Sequence, residues 1–423
     1  MVRRILPVSS GKGGVGKTTF AVNFALALSR HKPTVLIDLD TGTSSVRSAL
    51  EVPVTKDLYH FWRKNEPLAS CITRLDERLD RKGELSGFGF VAGPKHYLEE
   101  LAHLGDGFRK RLAAEIPSLP AEYVVLDLKA GLDRSVVEFL PYTNSGLLVF
   151  TPGNPAATAA AAGLVKAVLF RSLRVLLKPG GAILAQPEIA PHAERIGALL
   201  DQTEDVYDDT LPNLDAFLAE IGSLLGPHPV IDLLGQLLDE FRVHAVLNMF
   251  NGVEESYQGA VVPLVKNLAE QVSARPRLSQ LGWIVYDPRV QKGSAQGRPV
   301  LLEEEAEPAP ASAPDKIAAE LAALEQALLP GRKAAGRERA STPAKVRNAE
   351  LEEDALAGQL LALKAMYGGR GSDSVAENFT YLVYRALALL GPDRSPAELG
   401  QTSLASAEQL EAWFLAHQRA RAG

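Results

Sequence analysis

The sequence predicts an α/β protein with a doubly wound, mostly parallel sheet, a helical insertion and a small C-terminal helical appendage. Short apolar runs recur along the chain and alternate with longer segments of helical periodicity. This pattern is typical of parallel strands that are buried on both faces and joined by helices. A glycine-rich loop separates the first apolar run from the first helical segment. Acidic residues follow later runs, at the strand ends where open α/β sheets bind ligands.

The first strand and helix enclose the most informative motif. Residues 5–8 predict a short buried strand, and residues 18–29 predict the helix that follows. The loop between them fits the phosphate-binding pattern G-x-x-x-x-G-K-[ST], which requires this strand–loop–helix context. The residues predicted to bind a nucleotide here are Gly11, Lys12, Gly13, Gly14, Val15, Gly16, Lys17, Thr18 and Thr19.

The chemistry of this loop follows from its residue types. Glycines let consecutive backbone N–H groups face an anion, and the helix N-terminus adds the positive end of its dipole. In this motif Lys17 reaches the terminal phosphates, and the hydroxyl of Thr18 binds Mg²⁺. We therefore predict a nucleoside triphosphate site with a magnesium ion.

Carboxylates lie at the ends of two further predicted strands, where open α/β sheets bind ligands. The apolar run 34–39 contains Asp38 and is followed by Asp40, and the run 123–128 ends around Asp127. At Asp127, an aspartate that ends a buried strand in a chain with a phosphate loop is the arrangement that holds Mg²⁺ beside the phosphates. The alternative is that these residues only form turns and cap helices. The position of Asp38 and Asp40 soon after a phosphate loop favours a role in ligand binding.

The remaining segments complete the predicted sheet and divide the chain. Further strands are predicted at 88–91, 147–151, 243–247 and 281–285, and helices at 97–116 and 155–177. The predicted units are a core over 1–329 with a helical insertion at 178–241, a flexible basic linker at 330–348 and a helical appendage at 349–423. Helices are also predicted near 191–203, 211–225 and 229–241 in the insertion, near 315–329 at the end of the core, and near 349–366, 373–390 and 406–421 in the appendage. We expect the last helix to dock within the appendage.

The composition of the chain argues against several classes of protein. A net charge of −6 over 423 residues argues against a protein that coats nucleic acid with its whole surface. A single cysteine, Cys71, allows no internal disulfide and no cysteine-based metal or cluster site within one chain. An uninterrupted apolar run of about 18 residues, the length of a membrane-spanning helix, is absent. Since Pro7 also cuts short the first apolar run, no signal peptide is expected, and we expect a cytoplasmic location.

One residue makes the phosphate loop more specific. Lys12 is a second lysine ahead of Gly13 and Gly14, and a plain phosphate loop needs only Lys17. The run Lys-Gly-Gly-x-Gly-Lys-Thr resembles the deviant Walker A loop of the MinD/ParA family of SIMIBI-class ATPases. The segment 281–300, which contains Tyr286, Asp287 and Pro288, is similar to the MinD-type ending of that fold. The resemblance, closest to MinD/FlhG-like members, extends from Arg4 to about Leu329 outside the insertion.

The resemblance implies roles for individual residues. It makes Lys12, Lys17 and Asp40 the catalytic set, with Asp40 orienting the attacking water and Lys12 reaching the nucleotide of a partner subunit. It places Asp38 and Asp127 near Mg²⁺ together with Thr18. The residues expected near adenine are Asn248, Asp287 and Pro288.

The implied function is a slow, partner-stimulated ATPase. Two copies would close over ATP and Mg²⁺, and hydrolysis would reopen the dimer to position or regulate a partner assembly. The partner is expected to contact the insertion or the appendage. Two alternatives stay open. The first is a positioning ATPase bound to DNA or to a membrane surface, which would place the protein at the nucleoid or peripherally at a membrane. The second is a metallocluster carrier. Cluster carriers need cysteine pairs, so the lone Cys71 counts against the last.

Overall fold

The computed structural model describes residues 4–41, 45–96, 104–205, 207, 210–303, 374–390 and 404–422. The predicted helices at 315–329 and 349–366 and the predicted linker at 330–348 lie outside these residues. The strands are β1 (Arg4–Ser9), β2 (Thr34–Asp38), β3 (Phe88–Val91), β4 (Tyr123–Asp127), β5 (Asn144–Phe150), β6 (Arg242–Phe250) and β7 (Arg277–Val285). They form a seven-stranded sheet in the order β3-β2-β4-β1-β5-β6-β7, and each neighbouring pair is parallel.

The strands are mostly apolar and buried because both faces of the sheet are covered. Val124 and Leu126 of β4 belong to one hydrophobic cluster, whereas Val125 between them belongs to the other. Successive side chains of a strand point to opposite faces, so each strand contributes to two cores. The prediction of a doubly wound parallel sheet is therefore confirmed.

Helices connect the strands on both faces. The helices before β5 are α1 (Lys17–Ser29), α2 (Ser45–Leu50), α3 (Leu58–Arg63), α4 (Asp106–Glu115) and α5 (Arg134–Val137). From β5 to the end of the described core they are α6 (Pro155–Leu176), α7 (Ala193–Glu204), α8 (Leu214–Leu225), α9 (Pro229–Glu240), α10 (Val253–Ser256), α11 (Val262–Gln271), α12 (Pro288–Ala295) and α13 (Val300–Glu303). None of the helices in the described part of the chain is long and apolar enough to cross a membrane.

The segment predicted as an insertion contains three helices close to the expected bounds. Apolar side chains of α7, α8 and α9, such as Leu199, Phe217 and Leu234, join the same hydrophobic cluster as Leu164 of α6. Asn213 starts α8 by accepting hydrogen bonds from the backbone of Asp215 and Ala216, a typical N-cap. The three helices thus pack against the same face of the sheet as α6. That 178–241 is an insertion stays a prediction.

Two further helices, α14 (Val375–Leu390) and α15 (Ala407–Ala422), lie on opposite faces of the sheet. Phe379 of α14 stacks on Phe20 of α1, with ring centroids 5.9 Å apart. Phe414 of α15 is buried in the cluster that contains α6 and α9, and Glu411 pairs with Lys178 at 2.7 Å. The last helix therefore docks on the core, where the sequence analysis expected it to dock within the appendage.

Helix α14 also covers the edge of the sheet. Strand β7 is an edge strand, and an uncovered edge offers unpaired backbone groups to other chains. Asn378 accepts a hydrogen bond from the backbone N–H of Val285 at 3.0 Å. Arg385 donates to the backbone carbonyl of Leu281 at 2.9 Å. Side chains of the helix thus take the place of a neighbouring strand at two positions.

Replacing Asn378 by alanine is expected to lower the free energy of unfolding by about 1–2 kcal/mol, because it leaves the N–H of Val285 without this acceptor. Urea denaturation of the full chain measures the change. Thr380→Ala is the matched control, since among the described residues the Thr380 hydroxyl bonds within its own helix, to the carbonyl of Ala376. Equal stability of Asn378→Ala and the wild type would show that the edge contact contributes nothing.

Candidate functional site

The phosphate loop lies between the end of β1 at Ser9 and the start of α1 at Lys17. Gly14 and Gly16 both have left-handed backbone conformations, with φ of 81° and 80°, which favour glycine. Lys12, Gly13 and Gly14 are exposed, whereas Val15 is buried. The loop thus presents a glycine-rich backbone to solvent at the N-terminus of a helix, as the phosphate motif requires.

Two neighbouring elements hold the loop in place. A Cβ atom at Gly11 would overlap the backbone and side chain of Ala160 in α6, so only glycine allows this close approach. The carbonyl of Ser10 accepts a hydrogen bond from the backbone N–H of Gly131 at 3.0 Å. Gly131 follows β4 with a φ of 115°. The loop after β4 is therefore bonded directly to the phosphate loop.

A buried charged cluster lies at the carboxyl ends of β2 and β4. Asp38 and Asp127 are partners in the parallel register of the two strands, and both are fully buried. The ammonium of Lys17 lies 2.5 Å from Oδ1 of Asp127. Among the described residues, Oδ2 of Asp127 has no hydrogen-bond partner. The structure thus brings together one cation and two carboxylates that are far apart in sequence, as predicted.

The two carboxylates affect each other. Burial in the low-dielectric interior, which disfavours the charged form, and next the nearby Asp127 carboxylate raise the pKa of Asp38 to about 8. The oxygens of Asp38 accept hydrogen bonds from the backbone N–H groups of Asp40 at 3.1 Å and Val46 at 3.3 Å. Backbone N–H groups thus hold both oxygens of Asp38 in place beside Asp127, where a second negative charge is disfavoured.

Two other predicted site residues follow members of this cluster in the chain. Asp40 is half-buried in the loop after β2, and Thr18 is half-buried in the first turn of α1. The hydroxyl of Thr19 lies 3.4 Å from that of Ser294 in α12. Helix α12 therefore contacts the first turn of α1, the helix that follows the phosphate loop.

Asn248, predicted to contact adenine, lies against the phosphate loop itself. Its side-chain Nδ2 donates to the carbonyl of Val15 at 2.8 Å. The same nitrogen is so close to Gly16 that a Cβ atom there would overlap it. Met249, the next residue, has a left-handed backbone with a φ of 59°, which is uncommon for a residue other than glycine.

Asp287 and Pro288, also predicted near adenine, start α12 at the same edge of the sheet. Asp287 is the N-cap and accepts from the backbone N–H of Arg289. The guanidinium of Arg289 also pairs with its carboxylate, with a closest distance of 2.6 Å, and this pairing lowers the pKa of Asp287. In this arrangement the carboxylate of Asp287 is occupied by its own helix terminus.

The sequence analysis missed residues that hold the surrounding elements together. Arg171 of α6 is buried and donates to the carbonyls of Val137 and Leu140, just beyond the loop that contains Gly131. Burial lowers its pKa to about 10. Ala160 and Met249 were missed as well. No local pattern marks these residues, because their partners are distant in sequence and only the fold brings them together.

The sequence of the chain is similar to sequences of known nucleotide-binding proteins. Residues 6–300 match the CobQ/CobB/MinD/ParA nucleotide binding domain family. The chloroplastic septum site-determining protein MinD homolog of Arabidopsis thaliana is 29% identical over 164 residues, which is 35% of this chain and 45% of that protein. The putative septum site-determining protein MinD of Tupiella akineta is 28% identical over 177 residues, 41% of this chain and 56% of that one. The chain thus spans about half the length of these curated relatives.

One solved structure that aligns with the chain is that of the septum site-determining protein MinD from Pyrococcus horikoshii, complexed with Mg-ADP. The alignment covers 71% of this chain and 87% of that protein, at 16% identity and a TM-score of 0.40. The family match covers most of the chain and includes the phosphate loop, Asp38, Asp127 and Asn248. It confirms the family resemblance predicted from the loop. This chain belongs to the CobQ/CobB/MinD/ParA family of nucleotide-binding proteins.

Proposed function

We propose that this protein is an ATP-dependent dimerising switch that hydrolyses ATP to position or regulate a partner assembly. The observation that carries the proposal is the convergence of three elements at one edge of the sheet. These are the left-handed glycines of the phosphate loop, the buried Lys17 at the start of α1, and the register pair Asp38 and Asp127. Each is a separate requirement for binding a magnesium–nucleotide complex.

The loop fits a polyphosphate. Exposed backbone at Gly13 and Gly14 has open space around it, so phosphate oxygens can approach the N–H groups closely. The helix dipole of α1 favours negative charge at the same point. Lys17 lies at the base of the loop, from which its ammonium would turn from Asp127 to the terminal phosphates.

The carboxylates fit Mg²⁺. A magnesium ion takes hard oxygen ligands, and it is commonly held by one or two carboxylates together with water and substrate phosphates. The described residues hold no group of three or more His, Cys, Asp or Glu side chains suited to a metal, so the phosphates would complete the coordination. Asp38, Asp127 and Thr18 would hold the ion, and the unpartnered Oδ2 of Asp127 would gain a partner. When bound, the ion neutralises charge on the β- and γ-phosphates.

Hydrolysis would then depend on positioning and charge, because phosphoryl transfer requires little covalent chemistry from the protein. Lys17 would neutralise charge that develops on the γ-phosphate. Asp40, whose backbone N–H is bonded to Asp38, would orient the attacking water. The backbone bond between Ser10 and Gly131 connects the phosphate loop to the loop after β4, so a change at the γ-phosphate would reach that loop directly.

The proposed dimer and its output rest on an exposed residue and on the relatives. Lys12 is exposed at the tip of the loop, where a second copy of the chain could approach, and Lys17 is the buried cation of the chain's own site. The matched relatives from Arabidopsis thaliana and Tupiella akineta are named for determining the septum site. We therefore propose a positional task of a similar kind, with the partner binding through the helices of 178–241 or of 349–423.

The magnesium site provides the first test. The wild-type chain is expected to bind ATP more tightly with Mg²⁺ than with EDTA, and to release inorganic phosphate from Mg-ATP. Asp127→Asn is expected to reduce the gain in affinity from Mg²⁺ by roughly tenfold, because the amide replaces a charged oxygen ligand. Calorimetric titration with ATP in both buffers measures the effect.

Asp133→Asn is the matched control, because Asp133 is exposed in the same loop and pairs with Lys129 at its surface. It is expected to behave as the wild type. A wild-type chain that neither responds to Mg²⁺ nor releases phosphate would contradict the proposed activity.

A further inference from the structure

The amide of Asn248 is placed to set the orientation of one peptide of the phosphate loop. Nδ2 of Asn248 donates to the carbonyl of Val15. That carbonyl and the N–H of Gly16 belong to the same peptide group. A peptide is planar and trans, so its C=O and N–H point in opposite directions. Holding the Val15 carbonyl toward β6 therefore turns the Gly16 N–H away from β6 and into the loop.

The backbone around Asn248 is shaped for this contact. The register between β6 and β7 shifts between Leu247 and Phe250, and Met249 within this interval has a left-handed backbone. The methyl carbon of Met249 also lies 3.6 Å from where a Cβ atom of Gly16 would be. Unfavourable backbone conformations persist only where surrounding contacts enforce them, and they cluster at functional sites. Here the irregularity directs two consecutive side chains at Gly16.

We propose that Asn248 is a positioning residue for the phosphate loop and acts on the polyphosphate of the ligand, not on its base. The inference rests on the proposed nucleotide function and assigns this residue a role within it. The hydrogen bond orients the Gly16 N–H toward the phosphates before the ligand arrives, and such preorganisation increases affinity. It also keeps the carbonyl oxygen of Val15, which would repel phosphate oxygens, turned out of the site.

Two ligands separate this role from adenine recognition: ATP, and inorganic tripolyphosphate, which has neither base nor sugar. Asn248→Ala is expected to weaken both by roughly tenfold, because it removes the donor and leaves a buried carbonyl unsatisfied. Asn248→Asp, which keeps the shape, is expected to weaken both by on the order of a hundredfold, since it places a negative charge beside the Val15 carbonyl. Calorimetry on the full chain with Mg²⁺ measures both ligands, and the preference for ATP over GTP is expected to stay unchanged.

The matched control is Asn251→Asp. Asn251 follows the same strand, but its side chain bonds to exposed Glu255 at 2.9 Å. This variant is expected to bind both ligands as the wild type does. Thermal unfolding without ligand checks that Asn248→Asp keeps the fold.

The outcomes are distinct. A loss confined to ATP, an altered preference between ATP and GTP, or wild-type binding by Asn248→Asp would overturn the positioning role. A wild-type chain that binds neither ATP nor tripolyphosphate would instead overturn the proposed function.

Discussion

Replacing Lys12 by alanine is expected to abolish the ATP-driven dimer while each subunit keeps part of its affinity for nucleotide. Lys12 is exposed at the tip of the phosphate loop, whereas the buried Lys17 contacts Asp127 within the same subunit. In a closed dimer, Lys12 would face the phosphates of the other subunit. Removing one member of a buried charge pair across an interface weakens association by about a hundredfold or more. Light scattering with and without ATP measures the dimer, and titration with ATP measures the site.

Two further variants make this test specific. Lys12→Arg keeps the charge but changes its geometry, so it is expected to restore part of the dimer. Lys110→Ala removes another exposed lysine, one that pairs with Asp106 on α4, and is expected to dimerise normally. A monomer–dimer equilibrium that responds neither to ATP nor to Lys12→Ala would refute the two-subunit site.

Much of the fold could be predicted because a sheet covered on both faces leaves a strong local signal. Every strand lies within a few residues of its predicted run, since residues such as Val124 and Val125 must be apolar on either face. The docking of α14 and α15 could not be predicted in the same way. An apolar helical face shows that a surface must be covered. It does not show that Phe379 meets Phe20 on one side of the sheet while Phe414 is buried on the other.

In the candidate site, too, some features could be predicted from the sequence and others could not. The loop motif is local, and the meeting of Asp38 with Asp127 follows from a general rule, that parallel strands end at one edge of the sheet. The partner of Asn248 could not be predicted, because Val15 lies far away in the sequence and the contact depends on an irregularity in β6. Likewise, Arg289 neutralises Asp287 through a turn whose geometry appears only in three dimensions. Motifs thus predict which atoms meet the phosphates, and the fold determines what orients those atoms.

The second large effect is expected at Asp40. Asp40→Ala is expected to slow phosphate release from ATP by about a hundredfold or more, the usual contribution of a side chain that positions and activates water. ATP affinity is expected to change little, because Lys17 and the loop backbone remain in place. The ATP-bound dimer should therefore accumulate and persist. Phosphate release measured together with light scattering detects both changes in one sample.

Asp40→Asn refines the interpretation, since an amide can still orient water but accepts a proton poorly. Activity intermediate between the wild type and Asp40→Ala would show that orientation provides part of the effect. Asp133→Ala, in the exposed loop after β4, is the control for a lost carboxylate near the site and is expected to hydrolyse ATP normally. Undiminished phosphate release by Asp40→Ala would exclude Asp40 as the water-positioning group. In that case the half-buried position of Asp40 beside Asp38 would be explained by its place in the loop after β2 alone.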